Sequence, residues 1–192
     1  ETLTGKGVAK AGALCLTLAA IVSTAPAAEQ SNQTTKLDEN RLLLAKVWDA
    51  SIDPTGWWIS EKYDGIRAHW DGHTLWTRGG NEIAAPDYFV AELPKGIELD
   101  GELWLGRGRF EETVSTVRRS TPDERWRKVN YMIFDAPKAA GTFEERMEFV
   151  RRILPRPAKH VRRVPQTLCA GAEHLLARRD RVIDRLARRA VQ

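Results

Sequence analysis

A tight antiparallel hairpin is the feature that most constrains how this chain folds. The dipeptide Asp71-Gly72 separates two short segments of alternating apolar residues, 66–70 and 74–78. This arrangement is typical of a hairpin turn. Residues 57–59, 97–104 and 129–135 predict further strands. Because strands that are joined by short turns pair in opposite directions, the sequence favours a largely antiparallel sheet.

Helices are predicted between these strands. Residues 110–119 form one, and Thr142 followed by Glu145 is a capping box that opens another, which Pro155 stops. A third covers about 172–189, with arginines opposite an apolar stripe. The residues of that stripe are Leu175, Leu176, Val182, Ile183 and Leu186. Strands with inserted helices predict an α+β domain.

The first residues have the pattern of an export signal. Lys6 and Lys10 precede an apolar run at 11–22, and small residues follow at 23–28. The run is shorter than the roughly 20 residues that a membrane-spanning helix needs, which favours a cleaved signal peptide over an anchor. We therefore expect a signal peptide at 1–28 and a polar linker at 29–41. The mature protein would be periplasmic or secreted, with no membrane attachment after cleavage.

Cysteine and charge add two further constraints. The chain has two cysteines, and Cys15 lies inside the leader, so cleavage leaves Cys169 without an intramolecular partner, as a packed thiol. Residues 28–145 contain 15 Lys/Arg against 21 Asp/Glu, whereas residues 146–192 contain 13 against 4. The basic character therefore belongs to the C-terminal quarter, which favours phosphate-rich partners.

Residues 62–67, which read Lys-Tyr-Asp-Gly-Ile-Arg, have the composition of a nucleophilic site. A lysine amine attacks only when it is neutral, and neighbouring cations such as Arg67 favour the neutral form. Gly65 lets the backbone approach a ligand closely, and Asp64 can orient the Lys62 amine. The alternative is an ordinary exposed turn, because Asp-Gly turns are common on protein surfaces.

Three later segments follow this one in order. Residues 77–80 bring Arg78 beside the first arginine at the end of the hairpin, and residues 98–102 place carboxylates on one strand face. Residues 131–135 supply aromatic side chains near a strand end. Taken alone, Asp100 and Glu102 could form a solvated strand face, and Phe134 could belong to the core.

Taken together, the four segments resemble the motif series of nucleotidyltransferases that form a covalent lysyl-nucleotide. That superfamily contains ATP-dependent DNA ligases, RNA ligases and mRNA capping enzymes. Residues 62–67 match its first motif, K-x-D-G-x-R, and residues 77–80, 100–102 and 131–135 match the motifs that follow. In particular, the chain resembles the small bacterial ATP-dependent DNA ligases that have a signal peptide and lack accessory domains. The resemblance covers about residues 42–186.

The resemblance implies a fold, a reaction and its partners. The fold would be an α+β nucleotidyltransferase domain, the ATP-grasp-like adenylation domain of ligases, with mainly antiparallel sheets. ATP and Mg²⁺ would be the cofactors, and the partner would be nicked double-stranded DNA during replication, repair or recombination. A monomer is expected. Lys62 would carry AMP to the 5′-phosphate of a nick, where the 3′-hydroxyl displaces it.

The resemblance also assigns individual roles. Lys62 is the catalytic residue. The residues that would bind the nucleotide are Glu61 through its backbone beside adenine, Arg67 and Arg78 on phosphate and ribose, Glu102 on a ribose hydroxyl, and Phe134 stacked on adenine. Asp64, Gly65 and Asp100 support them. His69 shares the hairpin, and we do not expect a zinc site there.

The chain also departs from this pattern. The motif series normally continues with a Glu-Gly motif whose glutamate binds the metal, a lysine-bearing strand and an OB-fold domain. No Glu-Gly dipeptide follows residues 101–102. We therefore expect an incomplete adenylation domain at 42–186, an aberrant basic end at 187–192, no OB-fold domain and an unknown metal ligand. Two alternatives remain: an inactive remnant that binds nucleic acid weakly through its basic tail, and a capping-type guanylyltransferase.

Overall fold

The computed structural model describes residues 13–15, 48–154 and 158–190, and of residues 13–15 and 182–190 it describes the backbone alone. The linker at 29–41, Pro155 and most of the predicted leader lie outside these ranges, and three leader residues form a short strand. In chain order the strands are β1 (Ala13–Cys15), β2 (Trp58–Ser60), β3 (Ile66–Trp70), β4 (Leu75–Thr77), β5 (Leu99–Trp104), β6 (Asn130–Asp135), β7 (Val161–Arg163) and β8 (Gln166–Leu168).

These strands form two sheets. The larger has the order β4-β3-β5-β6-β7, and all its pairs are antiparallel except β6 with β7. The smaller has the order β1-β2-β8, with β2 parallel to β1 and antiparallel to β8. Strand pairing is therefore mainly antiparallel, and the predicted α+β class is confirmed. The hairpin around Asp71-Gly72 joins β3 to β4 as predicted.

The helices are α1 (Asp87–Val90), α2 (Phe110–Val117), α3 (Phe143–Ile153) and α4 (Ala172–Ala190), with a 3₁₀ helix at Glu124–Lys128. The sequence predicted α2, α3 and α4 and missed α1, the 3₁₀ helix, β7 and β8. The capping box of α3 is present: Thr142 Oγ1 accepts from the Glu145 N–H, and Glu145 Oε2 accepts from the Thr142 N–H at 2.7 Å. The end predicted at 187–192 overlaps α4 up to Ala190.

One part of the predicted apolar stripe on α4 is wrong. Leu175 is 4% exposed and packs with Ile59 and Cys169, whereas Leu176 is 36% exposed. Consecutive helical residues point about 100° apart, so only one of two neighbouring leucines faces so small a cluster. The side chains of Val182, Ile183 and Leu186 lie outside the described residues.

The main core lies between the larger sheet and α1, α2, α3 and the 3₁₀ helix. Its largest fully buried side chains include Trp70, Trp126 and Tyr131, and burying a large apolar side chain contributes about 1.5–3 kcal/mol. The Tyr131 hydroxyl donates to the Ala68 carbonyl at 2.8 Å. The ring of Tyr131 packs on Gly101, where an added Cβ would lie 2.6 Å from Cε2. Close packing at this point therefore requires glycine.

No helix in the described ranges is both long and apolar enough to cross a bilayer.

Candidate functional site

Lys62 lies in the segment that connects the smaller sheet to the larger one, between β2 and β3. Its side chain is 49% exposed, and its Nζ lies 3.9 Å from Asp64 Oδ1, whose side chain is 67% exposed. An ion pair of such exposed groups contributes little stability. The amine therefore remains accessible to a ligand, with a carboxylate beside it.

Gly65 anchors this segment to β5. Its N–H donates to Glu102 Oε1 at 3.1 Å. A Cβ at Gly65 would overlap the Leu103 carbonyl oxygen and lie 3.1 Å from Glu102 Cγ, so no larger residue fits here. The glycine of the first motif is thus required by the close approach of two backbones.

Glu102 is a half-buried carboxylate with perturbed acidity. Burial raises the pKa of Glu102 to about 7, although the Gly65 N–H and the charges of Lys62 and Arg67 oppose the rise. Glu102 pairs with Arg67 in the register of β3 and β5, which places both side chains on the same sheet face. The alternative that Asp100 and Glu102 form a solvated strand face is therefore wrong, because Asp100 is 4% exposed and Glu102 is half-buried.

Arg67 and Asp100 form a bidentate ion pair. Arg67 Nε lies 3.2 Å from Asp100 Oδ1, and Nη2 lies 2.6 Å from Oδ2. Their side chains are 19% and 5% exposed. Burial raises the pKa of Asp100, and the bonds and charge of Arg67 oppose that rise. A two-bond pair of this kind fixes the orientation of the guanidinium as well as its position.

A β-bulge sets the position of Phe134. Gly101 pairs with Ile133, but Asp100 pairs with Asp135, so Phe134 is an extra residue on β6. Bulges of this kind redirect a side chain and often lie next to functional sites. The sequence gives no sign of this bulge, because it depends on the pairing between two strands about 30 residues apart.

Phe134 is half-buried and lies at the site, not in the core. The Arg67 Cζ lies over its ring, 5.2 Å from the centroid. The next residue, Asp135, accepts from Arg146 of α3 at 2.8 and 3.1 Å. The aromatic ring is therefore placed beside Arg67 by a strand that α3 holds in turn.

Arg78 directly follows β4, the strand that pairs with β3. Thr77, the last residue of β4, pairs with Ala68, so the register places Arg78 beside Arg67 along the hairpin. The side chain of Arg78 is exposed. Arg78 lies within a turn that the Gly80 N–H closes by donating to the Thr77 carbonyl at 2.9 Å. This exposed position fits an arginine that meets a ligand.

Sequence analysis missed the partner of Glu61. Both carboxylate oxygens of Glu61 accept from Arg107, in the loop after β5. The role beside adenine that the resemblance implies for the Glu61 backbone stays a prediction. The run Gly106-Arg107-Gly108 was an available signal, since two glycines around one charged residue indicate a tight loop.

The described residues contain no preformed metal site. Across residues 48–154 and 158–181, whose side chains the structure describes, no group of three or more His, Cys, Asp and Glu could hold a metal. His69 is 5% exposed, and its Nε2 lies 3.5 Å from a carboxylate oxygen of Glu98. Cys169 is 2% exposed and donates to the Gly171 carbonyl, so its expected role as a packed thiol is confirmed.

Comparisons with known proteins show similarity to DNA ligases in sequence and in fold. No family model matches the chain. A curated DNA ligase of Haemophilus influenzae is 36% identical over 121 residues, which cover 62% of this chain and 44% of that protein. A solved structure from a structure-function study of DNA binding by Lig E DNA ligases is 39% identical with a TM-score of 0.62. That match covers 69% of this chain and 52% of the ligase.

The chain thus spans about half the length of the ligases it matches. The identity of 39% and the shared fold extend over most of the described residues. The α+β body that holds Lys62, Glu102 and Phe134 is therefore similar, in both sequence and fold, to part of a DNA ligase.

Proposed function

We propose that this chain is the lysine-adenylylating part of an ATP-dependent DNA ligase. The observation that supports it best is the convergence of an accessible Lys62 with Glu102, the Arg67–Asp100 pair and Phe134 on one face of the larger sheet. The similarity to DNA ligases over about half their length supports the same reaction.

In the proposed first step, the neutral amine of Lys62 attacks the α-phosphorus of ATP. A nitrogen–phosphorus bond forms, the bond to the bridging oxygen breaks, and pyrophosphate leaves with the electron pair while the amine loses a proton. An oxygen of the 5′-phosphate at a nick in double-stranded DNA then attacks the phosphorus of the bound AMP; a phosphorus–oxygen bond forms, the nitrogen–phosphorus bond breaks, and Lys62 leaves as the amine after it takes up a proton. The 3′-hydroxyl attacks that phosphate and displaces AMP, which seals the strand.

The surrounding residues would hold the nucleotide for this attack. Arg67, oriented by Asp100, would contact phosphate and ribose together with the exposed Arg78. Ionised Glu102 would accept a hydrogen bond from a ribose hydroxyl, and Phe134 would stack on adenine. The backbone of Glu61 would face the adenine.

Magnesium would enter with ATP. Mg²⁺ at phosphoryl-transfer sites is usually bound through substrate phosphates, waters and one or two carboxylates. No site for a resident metal fits the described residues, so no step is assigned to protein-bound Mg²⁺. We further propose that the protein acts as a monomer and is exported by its N-terminal leader.

Labelled ATP tests the proposal directly. Incubation with ATP labelled at the α-phosphate and Mg²⁺ should label the protein on Lys62. Lys62→Ala should remove the label, and Lys95→Ala, which changes an exposed lysine, should keep it. Absence of label on the wild-type protein, or label retained in Lys62→Ala, would contradict the proposal. Labelling by GTP in place of ATP would favour the capping-type reaction.

A second candidate function rests on the charge of the C-terminal quarter. Residues 146–192 contain 13 Lys/Arg against 4 Asp/Glu, and this excess of positive charge favours binding to polynucleotides. Such binding needs no catalytic site. DNA binding that weakens steeply with salt, together with no lysyl-adenylate, would support this inactive remnant.

A further inference from the structure

Both neighbours of Lys62 in the chain contact one short segment at the end of β5. Glu61 pairs with Arg107 through Nε and Nη2. The ring of Tyr63 meets Trp104 edge to face, with centroids 4.8 Å apart and planes at 79°. The nucleophile therefore lies between two residues that are tied to the same segment, about 40 positions later in the chain.

The loop after β5 is shaped to return Arg107 toward Lys62. Gly106 has a φ of 132° and Gly108 has a φ of 72°, both in the region that favours glycine. The backbone thus turns sharply on each side of Arg107, whose side chain reaches a residue 46 positions earlier.

The Arg107–Glu61 pair is more protected than the Arg151–Glu148 pair of α3. Its side chains are 17% and 18% exposed, whereas Arg151 and Glu148 of α3 are 47% and 49% exposed. Water and salt screen a partly buried pair much less than an exposed one. Two hydrogen bonds from one planar guanidinium also fix the angle of the carboxylate.

We propose that Arg107 is a positioning residue for Lys62, which acts by holding Glu61 in a fixed orientation. This inference rests on the proposed adenylylation. Arg107 fixes the residue before the nucleophile, and Trp104 holds the residue after it. These two contacts restrict movement of the Lys62 backbone away from the sheet face that carries Glu102 and Arg67. A lysine at 107 would keep the charge but lose the two-bond geometry.

The first arm of the test needs no ATP. Hydrogen exchange of the free protein, followed by mass spectrometry, should show faster exchange of residues 60–65 in Arg107→Gln than in the wild type. Arg151→Gln, which breaks an exposed pair of the same type, should leave that segment unchanged. Unchanged exchange of residues 60–65 in Arg107→Gln would overturn the proposal.

The second arm measures adenylylation in single turnovers. At saturating ATP, the first-order rate for Arg107→Gln should fall by about 10²-fold, because displacement of a reacting group by about 1 Å has an effect of that size. The ATP concentration for half-maximal rate should change by less than about threefold. Arg107→Lys should recover only part of the rate.

Further variants separate a local effect from misfolding. Glu61→Gln keeps the size of the side chain and should reduce the rate to a similar extent, and the double variant should be no slower than either single one. Additive losses, or a rise in the ATP requirement with no loss of rate, would overturn the positioning role. If wild-type protein forms no adenylate, the proposed function fails, and the exchange of residues 60–65 still decides whether Arg107 holds the segment.

Discussion

Replacing Glu102 by Gln should change how the free energy of unfolding depends on pH. Gln has the same shape, keeps an oxygen for the Gly65 N–H and does not titrate. Raising the pKa of Glu102 from its usual 4.5 to about 7 means that the folded state favours the protonated carboxyl. A tenfold change in proton affinity corresponds to about 1.4 kcal/mol. The raised pKa of Glu102 therefore changes the free energy of unfolding by about 3 kcal/mol over the full pH range.

The direction follows from which state releases the proton first. The unfolded chain ionises Glu102 near pH 4.5, while the folded protein ionises it only near 7. The contribution of protonated Glu102 to the free energy of unfolding is therefore fully present below about pH 4.5, and it is lost as the pH rises through about 7. Relative to Glu102→Gln, the wild-type protein should lose about 3 kcal/mol between about pH 4 and about pH 9.

Urea unfolding of both proteins across this pH range measures the difference. Glu112→Gln is a control of opposite sign, because hydrogen bonding to Arg109 lowers the pKa of Glu112. The contribution of Glu112 is present above its unfolded pKa and is lost as the pH falls. A constant difference between wild type and Glu102→Gln at every pH would refute the conclusion that burial controls this carboxyl.

Three further predictions concern neighbouring residues. Gly101→Ala should destabilise the protein by about 1–3 kcal/mol in urea unfolding, because the new Cβ would press on Tyr131. Phe134→Leu should weaken ATP binding by about 1 kcal/mol in calorimetry through lost stacking, with an unchanged melting temperature; a lower melting temperature would instead indicate a core residue. Arg146→Gln leaves Asp135, 8% exposed, without its ion-pair partner and should lower the free energy of unfolding by about 3–5 kcal/mol; a loss below about 1 kcal/mol would contradict this.

Local sequence signals predicted local structure well. The Asp71-Gly72 turn and the capping box of Thr142 need only a few neighbouring residues, and both are present. The strand alternation placed Asp100 and Glu102 on one face. It could not tell that this face is buried, because burial depends on strands and helices that pack from elsewhere in the chain.

The parts of the site that sequence could not predict depend on distant pairings. The bulge at Phe134 follows from the register between β5 and β6. The contact of Arg107 with Glu61 joins residues 46 positions apart. The four motif segments predicted which residues belong to the site, and the contacts that orient those residues come from the fold.

The central claim is that Lys62 becomes covalently attached to AMP, and intact-protein mass spectrometry tests it most directly. After incubation with ATP and Mg²⁺, the spectrum should show the mass of one added AMP, and peptide mapping should place it on Lys62. We expect this adduct in the wild type and its loss in Lys62→Ala. An unmodified wild-type mass, or AMP attached to another residue, would contradict it.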